Sequence, residues 1–181
     1  MNFFQAIILG IVQALTEYLP VSSSAHIRII GDLMLGADPG AAFTAIIQIG
    51  TELAVILYFR RDIINILSHW FGCLFGKNGP DWRARMGRGD KYATLGWNVI
   101  VGSIPIIILG FTLQNIIETS LRNLWITVTV LFLFGLLLWI VDARSRQIKT
   151  MDDMNYRDAF LFGLGQSMAL IPGVSRSGGT I

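Results

Sequence analysis

The sequence predicts an all-α, polytopic integral membrane protein, an inverted repeat with two re-entrant helix hairpins. Three observations lead there. First, 53% of the 181 residues are hydrophobic and 14% are charged, with a mean hydropathy of +0.59, a composition outside the range of water-soluble domains. Second, three apolar stretches, residues 41–59, 93–113 and 124–141, have the ~20 residues needed to cross a ~30 Å hydrocarbon core. Third, residues 4–27 recur as residues 157–180, at a fixed offset of 153.

In that repeat Ala6 falls on Ala159, Gly10 on Gly163 and Gln13 on Gln166, while Val21, Ser22 and Ser24 fall on Val174, Ser175 and Ser177. Each copy is an apolar run broken by a proline, Pro20 or Pro172, and then by serines. Repeated apolar segments interrupted by Pro, Gly and Ser point to a binding site inside a membrane protein.

Taken in order, residues 3–19 make about 26 Å of helix and residues 27–36 only about 15 Å, too short to cross. Two arrangements follow. In one, residues 3–36 form a re-entrant hairpin with its turn, 20–26, at membrane depth. Three spans then separate it from the second copy, and the copies are inverted. In the other, residues 3–19 span fully and the copies run parallel. Irregular backbone within a bilayer must be packed in protein or line a cavity. A hydroxyl-rich turn suits a cavity, which favours the inverted form. The N-terminal run is read as retained structure and not as a cleaved signal peptide, since no Lys or Arg precedes it and Glu17 follows it. The first repeat is assigned to residues 1–150, with hairpin 3–36 and the three spans. The second, 151–181, holds a re-entrant helix at 154–171 and a Ser-rich loop. It lacks the C-terminal part of a repeat, so the chain is expected to continue into further spans.

Of the 14 Lys and Arg, seven lie in residues 60–91 and four in 144–157, whereas the link 114–123 has only Arg122. The positive-inside rule makes the two basic loops cytoplasmic. A net charge of +2 without a basic cluster among aromatics argues against nucleic acid. The one cysteine, Cys73, allows no internal disulfide.

Within the repeats, Gln13 and Glu17 are four apart on one helix face, and a carboxylate in an apolar segment is functional by default. His26 follows Ser22, Ser23 and Ser24, so a hydroxyl and a base share one turn. Arg176 stands among Ser175, Ser177, Gly178 and Gly179, a nest suited to an oxyanion. Gln48 and Glu52, with Thr44, form a polar stripe in the first span, and Glu52 is placed to line the site or pair with Arg176. Other polar features read as structural: Thr150 as a helix N-cap before Asp152 and Asp153, and His69 beside Trp70 as an interfacial residue.

Two segments, QALTEYLPVSSSAH at 13–26 and PGVSRSGGT at 172–180, resemble the two signatures of the undecaprenyl-diphosphate phosphatases, the bacterial bacitracin-resistance membrane proteins. The likeness extends over all 181 residues, including residues 48–50 and 152–154. It implies hydrolysis of undecaprenyl diphosphate to the monophosphate carrier of cell-wall synthesis. It also implies a divalent cation (Mg²⁺ or Ca²⁺), and a cavity open to the outer face of the bacterial inner membrane. By position, the catalytic residues are Glu17, Ser23, His26 and Arg176. The phosphate contacts are Ser22, Ser175, Arg176, Ser177, Gly178 and Thr180, and the metal ligands are Gln13 and Glu17. The family pattern admits Glu or Gln at the first acidic position, and Gln13 weakens any scheme with two carboxylates on a metal. Glu52 stands where an apolar residue is expected. The partners implied are the lipid substrate and the bilayer, with room for a homodimer. Ser23 and His26 both remain candidates for the nucleophile. A transporter or flippase of polyprenyl phosphate or another anion is the competing class, since broken helices and an intramembrane anion site serve transport equally. A nucleophile beside a base is superfluous there, which favours hydrolysis.

Overall fold

The computed structural model describes residues 1–119, 123–145, 149–150 and 153–180. Among these the regular structure is helical: α1 (Phe3–Thr16), α2 (Ser23–Leu35), α3 (Ala41–Tyr58), α4 (Arg60–Leu74), α5 (Trp82–Arg85), α6 (Lys91–Thr119), α7 (Leu124–Arg144), α8 (Tyr156–Ser167) and α9 (Arg176–Gly179). Two compact units result. One comprises Met1–Ala54, Ile108–Arg146 and Gly165–Ile181, the other Val55–Ile107 and Gln147–Leu164.

Three helices are long and apolar enough to cross a membrane: α3, α7 and the Lys91–Ile117 part of α6. α6 and α7 outrun the apolar stretches 93–113 and 124–141, because helical hydrogen bonding continues where apolarity stops. In the first unit the interior mixes polar with apolar side chains: Gln13, Ser22, Thr51, Thr127, Ser167 and Ser175 are all 6% exposed or less, beside the buried Leu9, Ala25, Ile27 and Val174. Ile7, Ile11 and Leu15 of α1 and Leu133 and Leu137 of α7 face outward. That inside-out distribution would aggregate in water and is the one expected in lipid.

α1 opens with a capping box, Asn2 accepting from the Gln5 N–H and Gln5 reaching back to the Asn2 N–H. It is 14 residues long, about 21 Å, shorter than residues 3–19 because Pro20 disfavours helix in the residue before it. α2 packs beside it and ends at Gly36, whose φ of 67° supplies the left-handed cap. Gln5 Nε2 donates to the Met34 carbonyl at 3.4 Å. Ser22, between the two helices, has φ 62°, a conformation that no other non-glycine among the described residues adopts.

The second copy follows the first in register. α1 and α8 begin at Phe3 and Tyr156, α2 and α9 at Ser23 and Arg176, and both pairs have the sequence offset. α8 starts at Tyr156 rather than 154, and a 3-10 turn, Met168–Leu170, follows it. Its cap also differs from expectation. Asn155 Oδ1 accepts from the Arg157 and Asp158 N–H groups at 2.9 and 3.1 Å, whereas Thr150 donates its N–H and hydroxyl to Asp153 in a local turn. Asp152, Arg122 and Ile181 lie outside the described residues.

In the second unit, His69 Nδ1 meets Asp90 Oδ2 at 2.8 Å, and the Ala93 N–H donates to Asp90 Oδ1 at 3.1 Å. Burial would raise the Asp90 carboxyl, but the hydrogen bonds from His69 and Ala93 outweigh it and hold the group below the usual carboxylate range. His69 is thus a partner of Asp90 and lies beside the Tyr92 ring, 5.1 Å between centroids. α8 crosses α6 where Gly163 meets the Gly102 carbonyl, and a Cβ on Gly163 would overlap that oxygen.

Candidate active site

Both Ser-rich turns open onto one cavity of about 160 Å³ in the first unit. The first copy supplies Glu17, Ser22, Ser23 and Ser24, and α3 supplies Gln48. The second copy supplies Ala169, Val174, Ser175 and Arg176. Glu17 sits at the C-cap of α1 and Ser23 in the first position of α2. The tight turn between them folds the hydroxyl back on the carboxylate.

Ser23 Oγ donates to Glu17 Oε2 at 2.5 Å, and Gln13 Nε2 donates to the same oxygen at 2.9 Å. Gln13 is 2% exposed and also donates to Thr51 Oγ1 at 3.4 Å. The Thr51 hydroxyl in turn donates to the Gln48 carbonyl at 2.8 Å, and its own carbonyl accepts from the Tyr18 hydroxyl at 2.8 Å. Gln13 therefore presents its NH₂ to Glu17. A glutamate there would set carboxylate against carboxylate.

His26 stands one turn along α2 and is not among the residues lining the cavity. Its Nδ1 lies 2.9 Å from the Ser22 carbonyl. A carbonyl only accepts, so Nδ1 carries a proton and donates it to this contact. The imidazole holds the backbone at the one left-handed serine.

Arg176 is exposed and forms no ion pair among the described residues. The serines around it are committed to local bonds. Ser175 Oγ accepts from the Gly178 N–H at 3.3 Å and lies 3.0 Å from Ser177 Oγ, the counterpart of the 3.2 Å contact between Ser22 and Ser24. Ser177 donates to the Leu19 carbonyl at 2.9 Å, tying the second motif to the first turn.

Several expected phosphate contacts have other partners. The Gly178 and Gly179 N–H groups are used within the turn of α9, and the Thr180 hydroxyl donates to the Ser177 carbonyl at 2.9 Å. These glycines serve packing: a Cβ on Gly179 would stand 2.7 Å from the Gly165 carbonyl oxygen. Ser177, Gly178 and Thr180 do not line the cavity. Glu52 is exposed, accepts from Gln48 Nε2 at 3.2 Å and, among the described residues, forms no ion pair with Arg176. Sequence reasoning did not assign Ser24, although it lies in the same serine run. Ala169 carried no signal at all.

For a metal, the described residues contain no cluster of three or more His, Cys, Asp or Glu side chains. Among the described residues, Glu17 is the only carboxylate lining the cavity. That donor set does not build an all-protein cation cage. It fits Mg²⁺ or Ca²⁺ that takes most of its oxygens from phosphate and water.

The chain is 89% identical over 181 residues to an undecaprenyl-diphosphatase of Bifidobacterium longum subsp. infantis, 71% identical to one from Bifidobacterium adolescentis and 54% identical to one from Micrococcus luteus. Each comparison covers 100% of this chain and 62%, 62% and 63% of the respective relative. The profile of the family described as Bacitracin resistance protein BacA matches residues 6–181, both Ser-rich motifs included. A multi-pass membrane protein by its helices, the chain belongs to the bacitracin resistance protein BacA family.

Proposed function

We propose that the protein hydrolyses a polyprenyl diphosphate, as the names of its relatives state for undecaprenyl diphosphate. The observation that carries this reading is the Ser23–Glu17 hydrogen bond in a cavity shared with Arg176. A serine becomes nucleophilic when an adjacent base can take its proton. Ser23 Oγ passes its proton to Glu17 Oε2 and attacks the terminal phosphorus. The bond from that phosphorus to the bridging oxygen breaks, and polyprenyl monophosphate leaves. Water then attacks the phosphoserine, and the break of the Oγ–P bond frees inorganic phosphate and restores Ser23. Arg176 stabilises the charge on the equatorial oxygens, a role its planar fork suits. Gln13 holds Glu17 in place, and His26 positions Ser23 through the Ser22 carbonyl. A divalent cation, held by Glu17 and the substrate oxygens, would add charge neutralisation when bound.

The reading includes inverted copies and a cavity facing the outer side of the bacterial inner membrane, supported by the 11 of 14 Lys and Arg in two loops. The test is phosphate release from a detergent-solubilised polyprenyl diphosphate by the natural protein. Glu17→Gln, Ser23→Ala and Arg176→Lys should each lower the rate by about 100-fold or more. Ser23→Ala should also abolish trapping of a phosphoenzyme. His26→Ala should retain part of the rate and His69→Ala nearly all of it. Full activity in Ser23→Ala would remove serine attack, and full activity in Arg176→Ala would remove the shared site.

A further inference from the structure

A second arginine stands one turn from the reacting serines, and the mechanism above leaves it idle. Arg28 lies on α2 with Ser24 and Ile27, at i, i+4 and i+3, hence on one face. Four residues advance a helix by about 6 Å, and helical side chains lean toward the N-terminus, which brings the guanidinium back toward Ser24. Nη1 of Arg28 meets Asp38 Oδ2 at 2.5 Å. That bond holds the turn between α2 and α3 but uses one of the five N–H groups of a guanidinium. Nε is buried without a hydrogen-bond partner, and a charge so under-satisfied in an apolar segment is costly.

The guanidinium borders a cavity of about 130 Å³, whose lining includes Ser24, Ile27, Asp38, Thr127 and Pro172. Ser24 lines this cavity and the catalytic one alike, so the two adjoin at that residue. Their walls differ in character. The catalytic cavity is walled by serines, Glu17, Gln48 and Arg176, whereas the second one sets the apolar Ile27, Ile117 and Pro172 beside the Arg28–Asp38 pair, with Ser24, Thr44 and Thr127 as its hydroxyls. A free phosphate would need donors on all sides. An anion joined to hydrocarbon needs one fork and greasy walls.

We propose that this second cavity takes the lipid-linked phosphate of the substrate and the first carbons of its prenyl chain, with Arg28 as the group that recognises that phosphate. The assignment rests on the phosphatase reading, and it makes Arg28 the residue by which a diphosphate lipid is told from a simple phosphate ester. The terminal phosphate sits between Ser23 and Arg176. The other shares its bridging oxygen and so must lie immediately beside it, on the Ser24 side.

The experiment compares Arg28→Gln and Arg28→Lys with wild type, using the natural protein in detergent. It reads KM for polyprenyl diphosphate and inhibition by polyprenyl monophosphate, inorganic phosphate and the parent prenyl alcohol. Arg28→Gln should raise both KM and the monophosphate inhibition constant about 10-fold or more, as expected for losing a charge-assisted fork. Inhibition by inorganic phosphate and by the alcohol should stay within about twofold. Arg28→Lys keeps a charge for Asp38, so it guards against a folding defect, and should show an intermediate shift. An unchanged monophosphate constant in Arg28→Gln overturns the proposal, as does an equal loss for inorganic phosphate. If wild type releases no phosphate but still binds the monophosphate through Arg28, the subsite stands and the phosphatase reading falls.

Discussion

Replacing Gly179 with alanine adds one methyl group where α9 meets the end of α8. The new Cβ would stand 2.7 Å from the Gly165 carbonyl oxygen and 3.4 Å from its carbon. Carbon–oxygen contacts are rarely closer than about 3.3 Å, so the two backbones must part by about 0.6 Å. Neither contact is a flexible side chain that could swing aside. α9 has 4 residues and begins at Arg176, so the displacement passes to the arginine. Misplacing a catalytic group by about 1 Å can cost about 100-fold. Gly179→Ala should therefore lower kcat for polyprenyl diphosphate about 10-fold. Overpacking costs about 1–3 kcal/mol, partly offset by about 1 kcal/mol of helix propensity, so Tm in detergent should fall only modestly. Gly10→Ala is the matched control, since nothing lies within 4 Å of its added Cβ, and it should leave kcat unchanged. Phosphate release at saturating substrate, with melting of the same preparations, supplies both numbers. A Gly179→Ala protein with kcat within twofold of wild type refutes the claim that this backbone contact sets the position of Arg176.

Two further outcomes follow from local geometry. Ser22→Gly and Ser22→Ala both remove a hydroxyl from the cavity, but only glycine relieves the φ of 62°; the glycine variant should be the more stable of the two by about 1 kcal/mol on thermal melting, with both less active than wild type. In the second unit the lowered Asp90 carboxyl contributes stability that is fully present above the unfolded value, near about pH 4, and is lost as pH falls through the folded value. Wild type should therefore lose Tm more steeply than Asp90→Asn on acidification below about pH 5, and parallel curves would remove the His69–Asp90 bond as the cause.

The three spans could be read in the sequence because lipid imposes long apolar runs, and Gln13 with Glu17 because helical spacing sets them side by side, whereas α4 and α5 fall in what reads as a basic loop. What escaped was decided by tertiary contact. Gly178 and Gly179 beside an arginine read as an anion nest, yet their size lets α9 pack, Gly178 against Phe134 and Leu138 and Gly179 against Gly165, which no local pattern reveals. Thr150 and Asn155 are rival caps five positions apart, and the choice depends on where helical pairing starts. Glu52 has the right spacing for the site, but it lies on the exposed side of α3. Arg28 carried no signal in the sequence, since Asp38 and the adjoining cavity reach it only through the fold.

The shared register of the two copies has a consequence for their ancestry. Positions 23 and 176 are the same place in the repeat, but one holds the serine and the other the arginine; 17 and 170 hold Glu17 and Leu170, and 26 and 179 hold His26 and Gly179. On the phosphatase reading proposed above, the two copies divide the labour, the first carrying Glu17, Ser23 and His26 and the second Arg176. A chimera with the first segment in both places would own two hydroxyl–carboxylate pairs and lack the arginine at position 176 that the phosphatase reading sets against the terminal phosphate. The reverse chimera would hold an anion and be unable to cut it. Neither half can drift back toward its twin, although the two still share a common pattern of helix starts.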